Sequence, residues 1–248
     1  KDRSVTLSAF EMGKYEVTQE LYNAVLAGDS ACNASPSNFS SDPANGETQG
    51  LRPVEKVTWY DAVYFCNALT KLVMTEADCV YTITTISRDL DDKRITSATV
   101  TMDRSKKGYR LPTDAEWEFA ARGGNPATTV WKYSYAGVNT AKASSNFISS
   151  NDTALDDYGW YSSNSLDKTH EVGKKTANTL GLYDMSGNVW EWCWDWYDNS
   201  HVSTDAVTDP TGPVSGYARI MRGGRWDSSS YLCSVSYRNS VSPYYCSE

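Results

Sequence analysis

The sequence predicts a mixed α+β chain in which short helices and strands sit in much irregular structure, and three observations carry that prediction. Three apolar stretches with helical spacing each follow a threonine able to cap them, two β-branched runs flank a charged turn, and a strict alternation of tryptophan marks one more strand. The 248 residues, 40% hydrophobic and 12% aromatic, suffice for one large domain or two small ones with a sizeable core and exclude a disordered chain.

The elements follow in order. Residues 10–25 begin with strand-like alternation and shift to helical spacing. Thr18 caps a helix over Gln19 to Leu26, with Leu21, Tyr22 and Val25 on one side. Residues 27–51, rich in Gly, Ser, Asn, Asp and Pro, read as loop. Thr58 caps a second helix whose Ala62, Phe65, Cys66 and Leu69 face inward. Val80 to Ile86 and Ile95 to Thr101 form a β-hairpin about the turn from Arg88 to Arg94. Thr113 and Glu116 make a capping box that opens a short helix, ended by Gly123 and Gly124. Residues 125–180 are irregular and too long for an idle connector, which calls for an internal tie such as an ion. Trp190, Trp192, Trp194 and Trp196 then alternate with the period of a strand, so all four indoles share one face and Glu191, Cys193 and Asp195 take the other. Such an aromatic face reads as core rather than as a carbohydrate platform.

Composition removes several function classes. The net charge of −8, from 23 basic and 31 acidic residues, argues against a nucleic-acid partner, whose phosphates demand clustered Lys and Arg. The longest apolar run, Ala62 to Cys66, is far short of the roughly 20 residues that span a bilayer. No charged-then-apolar leader stands at Lys1, and any export or lipid-attachment segment is expected to have been removed or never to have been present. Six cysteines without a C-x-x-C pair read as free, mostly buried thiols, with one or two bridges left open if the chain is exported. His170 and His201 sit in no metal or triad pattern.

Five phrases together carry a resemblance: Gly13-Lys-Tyr-Glu-Val-Thr-Gln19, Arg52-Pro-Val-Glu-Lys-Val-Thr-Trp-Tyr-Asp-Ala62, Tyr109-Arg-Leu-Pro-Thr-Asp-Ala-Glu-Trp-Glu118, Gly181-Leu-Tyr-Asp-Met-Ser-Gly-Asn-Val-Trp-Glu-Trp192 and Arg219-Ile-Met-Arg-Gly-Gly-Arg-Trp226. In order and number they resemble the sulfatase-modifying-factor family, the formylglycine-generating-enzyme type of domain. The resemblance implies one C-type-lectin-like α+β domain over residues 1–248, with residues 73–107 as an insertion. The family's enzyme binds copper through two cysteines five residues apart, shortly after the Gly-Gly motif. Here Ser228 stands at the first position and Cys233 at the second, and a hydroxyl replaces neither a soft copper ligand nor a disulfide partner. Cys233 then reads as a core residue, and a copper-dependent cysteine oxidase becomes the alternative. The family also binds calcium through its Gly-Asn-x-Trp-Glu region, which implies side-chain oxygens of Asp184 and Glu191 and carbonyls of Gly187 and Val189 as ligands, a hard-oxygen set suited to that ion. The competing reading has Asp184 and Glu191 hydrogen-bonding backbone amides only. Asn146, Asp156 and Asp157 are too loosely spaced for a second site.

From Arg225 to Glu248, eight of 24 residues are Ser and four are Tyr. Tyr gives broad, rigid contact area and Ser adaptable hydrogen bonding, the composition of antibody combining loops. The tail over residues 222–248 also resembles the variable region of diversity-generating retroelement proteins, whose fixed skeleton matches Arg222-Gly-Gly-x-Trp226, Cys233-x-Val-Ser236, Arg238 and Pro243. Positions between those points, Ser247 among them, are reachable from an Asn codon by adenine replacement alone, as are many other residues. The expected contact residues are Arg225, Trp226, Asp227, Ser228, Ser229, Tyr231, Tyr237, Asn239, Ser240, Ser242, Tyr244 and Tyr245. Their expected partner is a protein, bound by a monomer displayed at the cell surface or outside the cell, attached to membrane only through a lipid anchor absent from the chain. A calcium-dependent lectin is the third reading, and the sequence lacks the Glu-Pro-Asn or Gln-Pro-Asp signature for it.

Overall fold

A computed structural model describes residues 4–138, 153–199 and 205–246. His201, Asn146 and Ser247 lie outside the described residues. The three helices start where threonine can cap them. For α1, Gln19–Leu26, Thr18 Oγ1 accepts from the Leu21 amide. For α2, Trp59–Val73, and α3, Asp114–Ala121, the capping boxes pair Thr58 with Asp61 and Thr113 with Glu116. The buried face of α1 is Tyr22 and Leu26, one turn apart, with Tyr22 stacked on Phe65 of α2 at 5.0 Å. Leu21, expected on that face, is 41% exposed, because a step of one residue turns the helix by about 100°. In α2 the inward stripe is Trp59, Val63, Cys66 and Thr70, with Phe65 beside it; Ala62 and Leu69 are only half-buried. The helix runs a turn beyond Leu69, leaving Leu72 and Val73 exposed.

The hairpin pairs β2, Tyr81–Arg88, with β3, Ile95–Met102, antiparallel. It also lends Val80, Tyr81 and Ile95 to the buried interior. A parallel pair joins β1, Val5–Thr6, to β5, Val207–Thr208. The central sheet has the order β4-β6-β7, antiparallel, from Glu191–Trp196, Arg219–Arg222 and Asn239–Val241. Trp192 joins Trp59, Val63, Tyr81 and Met221 on one side of it. Cys193 joins Trp117, Ala120, Ile220 and Val235 on the other. The alternation of β4 therefore separates two buried faces rather than a core face from a wet one, since α2 and the hairpin cover one side and α3 the other. A register shift between Trp192 and Trp196 accompanies this arrangement. Arg219 closes the indole cluster, its guanidinium 3.8 Å from the Trp59 ring and 3.6 Å from that of Trp196. Burial pulls its pKa down to about 9.

All six cysteines are free thiols, with Cys66, Cys193 and Cys233 buried. Among the described residues, no helix is long and apolar enough to cross a membrane.

Candidate functional site

Arg222, the last residue of β6, is fully buried and fixes how the tail leaves the sheet. Its Nε donates to Asp114 Oδ1 at 2.7 Å, and its Nη1 donates to the carbonyls of Val235 at 3.0 Å and Tyr237 at 2.6 Å. Nη2 donates to Glu118. One guanidinium thus ties residues 235–237 to the first and second turns of α3, using the geometry that suits planar, multidentate recognition. Gly224 lets the tail fold back closely: its φ is +82°, and a Cβ there would stand 2.5 Å from Cys233 Sγ. Arg238 adds an ion pair to Asp114 at 3.0 Å, and the Pro243 carbonyl accepts from the Trp59 amide at 3.0 Å.

On this base the tail divides cleanly. Cys233, Ser234 and Val235 point inward, while Tyr231 and Tyr244 are 52% and 60% exposed and Asp227 and Tyr245 also face solvent. Tyr237 is half-buried and joins the outer tyrosines to the body, edge-on to Tyr231 at 5.3 Å and 6.1 Å from the Trp190 ring. Trp226 is half-buried and packs edge-on against Phe39 at 5.2 Å. Arg225 is paired with Asp227 at 2.5 Å. Ser229, Asn239, Ser240 and Ser242 are half-buried, Asn239 and Ser240 within β7.

Ser228 departs from expectation. It is 3% exposed, its Oγ accepts from the Arg225 amide at 3.0 Å, and its carbonyl accepts from Ser162. It shapes the loop and has no surface to offer a ligand. Three contributors were not expected. Phe39 comes from the loop after α1 and Trp190 from the start of the indole run, and Ser236 is exposed among the tyrosines.

The positions aligned with the copper-binding pair are Ser228, so buried, and Cys233, fully enclosed with Tyr135, Val138, Leu155 and Tyr161. Burial pushes the Cys233 thiol far above its ordinary range, which disfavours the thiolate that metal binding and nucleophilic attack require.

A second cluster lies behind β4. Asp184, at φ +59°, accepts from the Gly173 amide through Oδ2 at 2.7 Å, and Glu191 Oε2 accepts from Trp117 Nε1 at 3.1 Å. The other oxygens, Asp184 Oδ1 and Glu191 Oε1, are buried without a hydrogen-bond partner. Glu16, which sequence reading did not single out, accepts from Asn188 Nδ2 at 2.7 Å and the Val189 amide at 3.1 Å. Burial, first, and mutual repulsion, second, hold these carboxyls above the usual range: Asp184 is pushed up to about 6 by burial, Glu191 to about 7 by burial and Asp184, and Glu16 upward by burial, Asp184 and Glu191. Gly187 has φ +113°, and a Cβ there would meet the Trp160 carbonyl at 2.2 Å. Glu16 and Glu191 line a groove of about 1840 Å³ beneath residues 8–18. Among the described residues, no three His, Cys, Asp or Glu side chains are close enough together to hold a metal ion by themselves. Two orphaned carboxylate oxygens beside a tight glycine turn nonetheless fit a hard cation that takes carbonyl oxygens as its remaining ligands.

Comparisons with known proteins agree with this layout. The sulfatase-modifying factor enzyme 1-like domain matches residues 2–248. The structure of Treponema denticola variable protein 1 is similar, with 40% identity, a TM-score of 0.78, and coverage of 99% of this chain and 83% of that one. The chaperone protein LppX of Paenibacillus barcinonensis is 39% identical over 242 residues, 95% of this chain and 76% of that protein. A formylglycine-generating enzyme of Streptomyces coelicolor is 35% identical over 148 residues, and the match covers 53% of this chain and 39% of the enzyme. The architecture is the α+β, C-type-lectin-like fold of these proteins.

Proposed function

Because the chain belongs to the sulfatase-modifying factor enzyme 1-like domain family, we propose that it puts that fold to non-enzymatic use, as a binding protein whose variable tail recognises a protein ligand. The observation that carries this reading is the segregation within the tail. Arg222, Gly224, Cys233 and Val235 are locked into the body, while Tyr231, Tyr244, Tyr245 and Asp227 face solvent. Such a surface supplies a few rigid aromatic anchors with exchangeable polar neighbours. The likeness to the Treponema denticola variable protein supports the same reading, and the tail is the diversified segment of a retroelement target. In this reading the protein acts as a monomer at the cell surface or outside the cell, a lipid anchor being its only route to a membrane. A calcium ion held by Asp184 and Glu191, with the Gly187 and Val189 carbonyls, is structural in this reading: it neutralises the buried carboxylates and fixes the irregular segment before β4. The unpartnered oxygens of Asp184 and Glu191 support it.

Two experiments test the reading. At the gene, a near-copy of the 3′ coding segment, differing at adenines and lying beside a reverse transcriptase, is the expected arrangement. In solution, the copper-treated protein should leave the cysteine of a sulfatase-derived peptide unchanged. Formylglycine formation in that peptide would replace the binding role with the oxidase.

A further inference from the structure

We propose that Cys32 and Cys246 form a redox-active pair, which a disulfide oxidant converts to a bond tying the end of the tail to the loop after α1. The two side chains line one cleft, bounded by that loop, the hairpin turn and the tail. Its volume is about 80 Å³, a small cleft that both thiols share. Both thiols are half-exposed. Of the other four, Cys66, Cys193 and Cys233 are buried, and Cys79 lies against the Asn67 carbonyl at 3.7 Å.

Different neighbours hold the two sulfurs. Arg94 Nη1 donates to Cys246 Sγ at 3.2 Å, and Arg94 is held in place by Asp92 at 3.2 Å and Asp89 at 3.6 Å. Cys32 Sγ donates to Asp29 Oδ2 at 3.4 Å, and burial, opposed by the nearby Arg88 guanidinium, pushes its pKa up to about 11. It is the reserve thiol. With oxidised glutathione as the oxidant, the Cys246 thiolate attacks one glutathione sulfur, forming a mixed disulfide and expelling one glutathione thiolate. Cys32 then loses its proton, for which Asp29 is the adjacent acceptor, and attacks Cys246 Sγ. The second glutathione thiolate leaves. Two protein thiols and one small disulfide thus become one protein disulfide and two small thiols. Closure needs the two Cα atoms within about 4.4–6.8 Å. Both cysteines lie outside helices and strands, and Lys93 Nζ already holds the hairpin turn to the Ser30 carbonyl at 3.0 Å. The pair stands whether or not the tail binds a partner.

The test is peptide mapping without reduction, on the full chain equilibrated with oxidised glutathione. The expected product joins the Cys32 and Cys246 peptides, is reversed by dithiothreitol and raises Tm by about 10 °C, since the bond closes a loop of roughly 200 residues. Cys32→Ser should stall with glutathione on Cys246. Free, alkylatable Cys32 and Cys246 after oxidation, a persistent glutathione adduct on Cys246 in the unaltered chain, or a bridge between any other pair overturns the proposal.

Discussion

Replacing Arg222 with Leu removes every tie between the tail and α3 that this guanidinium makes, while keeping an apolar stem in the space. The Val235 and Tyr237 carbonyls lose their donor, and Asp114 and Glu118 lose a cation. Breaking a buried pair by removing one partner costs about 3–5 kcal/mol, and each orphaned buried acceptor about 1–3 kcal/mol. These terms overlap and do not add. Asp114 and Glu118 retain some solvent, at 19% and 34% side-chain exposure, and keep Arg238 and Arg122 as partners. A net loss of about 4 kcal/mol follows, equivalent to a fall in Tm of about 8–16 °C for a chain of this length. Differential scanning calorimetry at pH 7 measures it directly. A loss below about 1 kcal/mol would falsify the claim that Arg222 is the hinge pin between body and tail.

Three further outcomes are expected. Burial, opposed by the Asp114 amide that donates to it, raises the Asp195 pKa to about 7 from an ordinary 3.8. A carboxyl raised on folding stabilises the native state fully below about pH 4 and loses that contribution as pH climbs through 7. Asp195→Asn should therefore gain on the unaltered chain between pH 4 and pH 8, by on the order of 3 kcal/mol, read from paired urea melts; a pH-independent difference counts against it. Gly187→Ala puts a methyl 2.2 Å from the Trp160 carbonyl at a positive φ, and should cost about 3 kcal/mol or more or prevent folding, whereas a neutral result would show that the turn is free to relax. Millimolar calcium should raise Tm, by about 2.7 kcal/mol of stabilisation at a hundredfold excess over Kd, and Glu191→Gln should abolish most of that rise. Equal Tm with calcium and with chelator removes the ion from the account.

The parts of this fold that could be read from the sequence are those whose causes are local. Thr18, Thr58 and Thr113 cap helices through bonds to amides three residues on, so spacing alone reveals them. The Trp alternation gave the strand period, yet it could not show that Cys193 and Asp195 are buried as well, because burial depends on which layers arrive from α3 and the hairpin. Ser228 and Ser229 look alike by composition, and only the Arg225 amide and the course of the chain at Ser162 turn Ser228 inward. The roles of Glu16 and Phe39 are not legible in the sequence for a related reason. Their partners, Asn188 and Trp226, lie more than 150 residues away in the chain, and although Glu16 stands in the phrase Gly13 to Gln19, nothing local assigns either residue its role.

The division between a fixed body and a replaceable surface is tested most directly by changing Asp227, Tyr231, Tyr244 and Tyr245 to Ser together and following thermal unfolding beside the unaltered chain. All four side chains face solvent, and substitutions of that kind usually shift stability by no more than about 0.5 kcal/mol each, so the predicted Tm lies within a few degrees of the starting protein. A collapse of Tm comparable to that expected for Arg222→Leu would mean that these residues hold the fold together, and that the tail is structure rather than a surface for recognition.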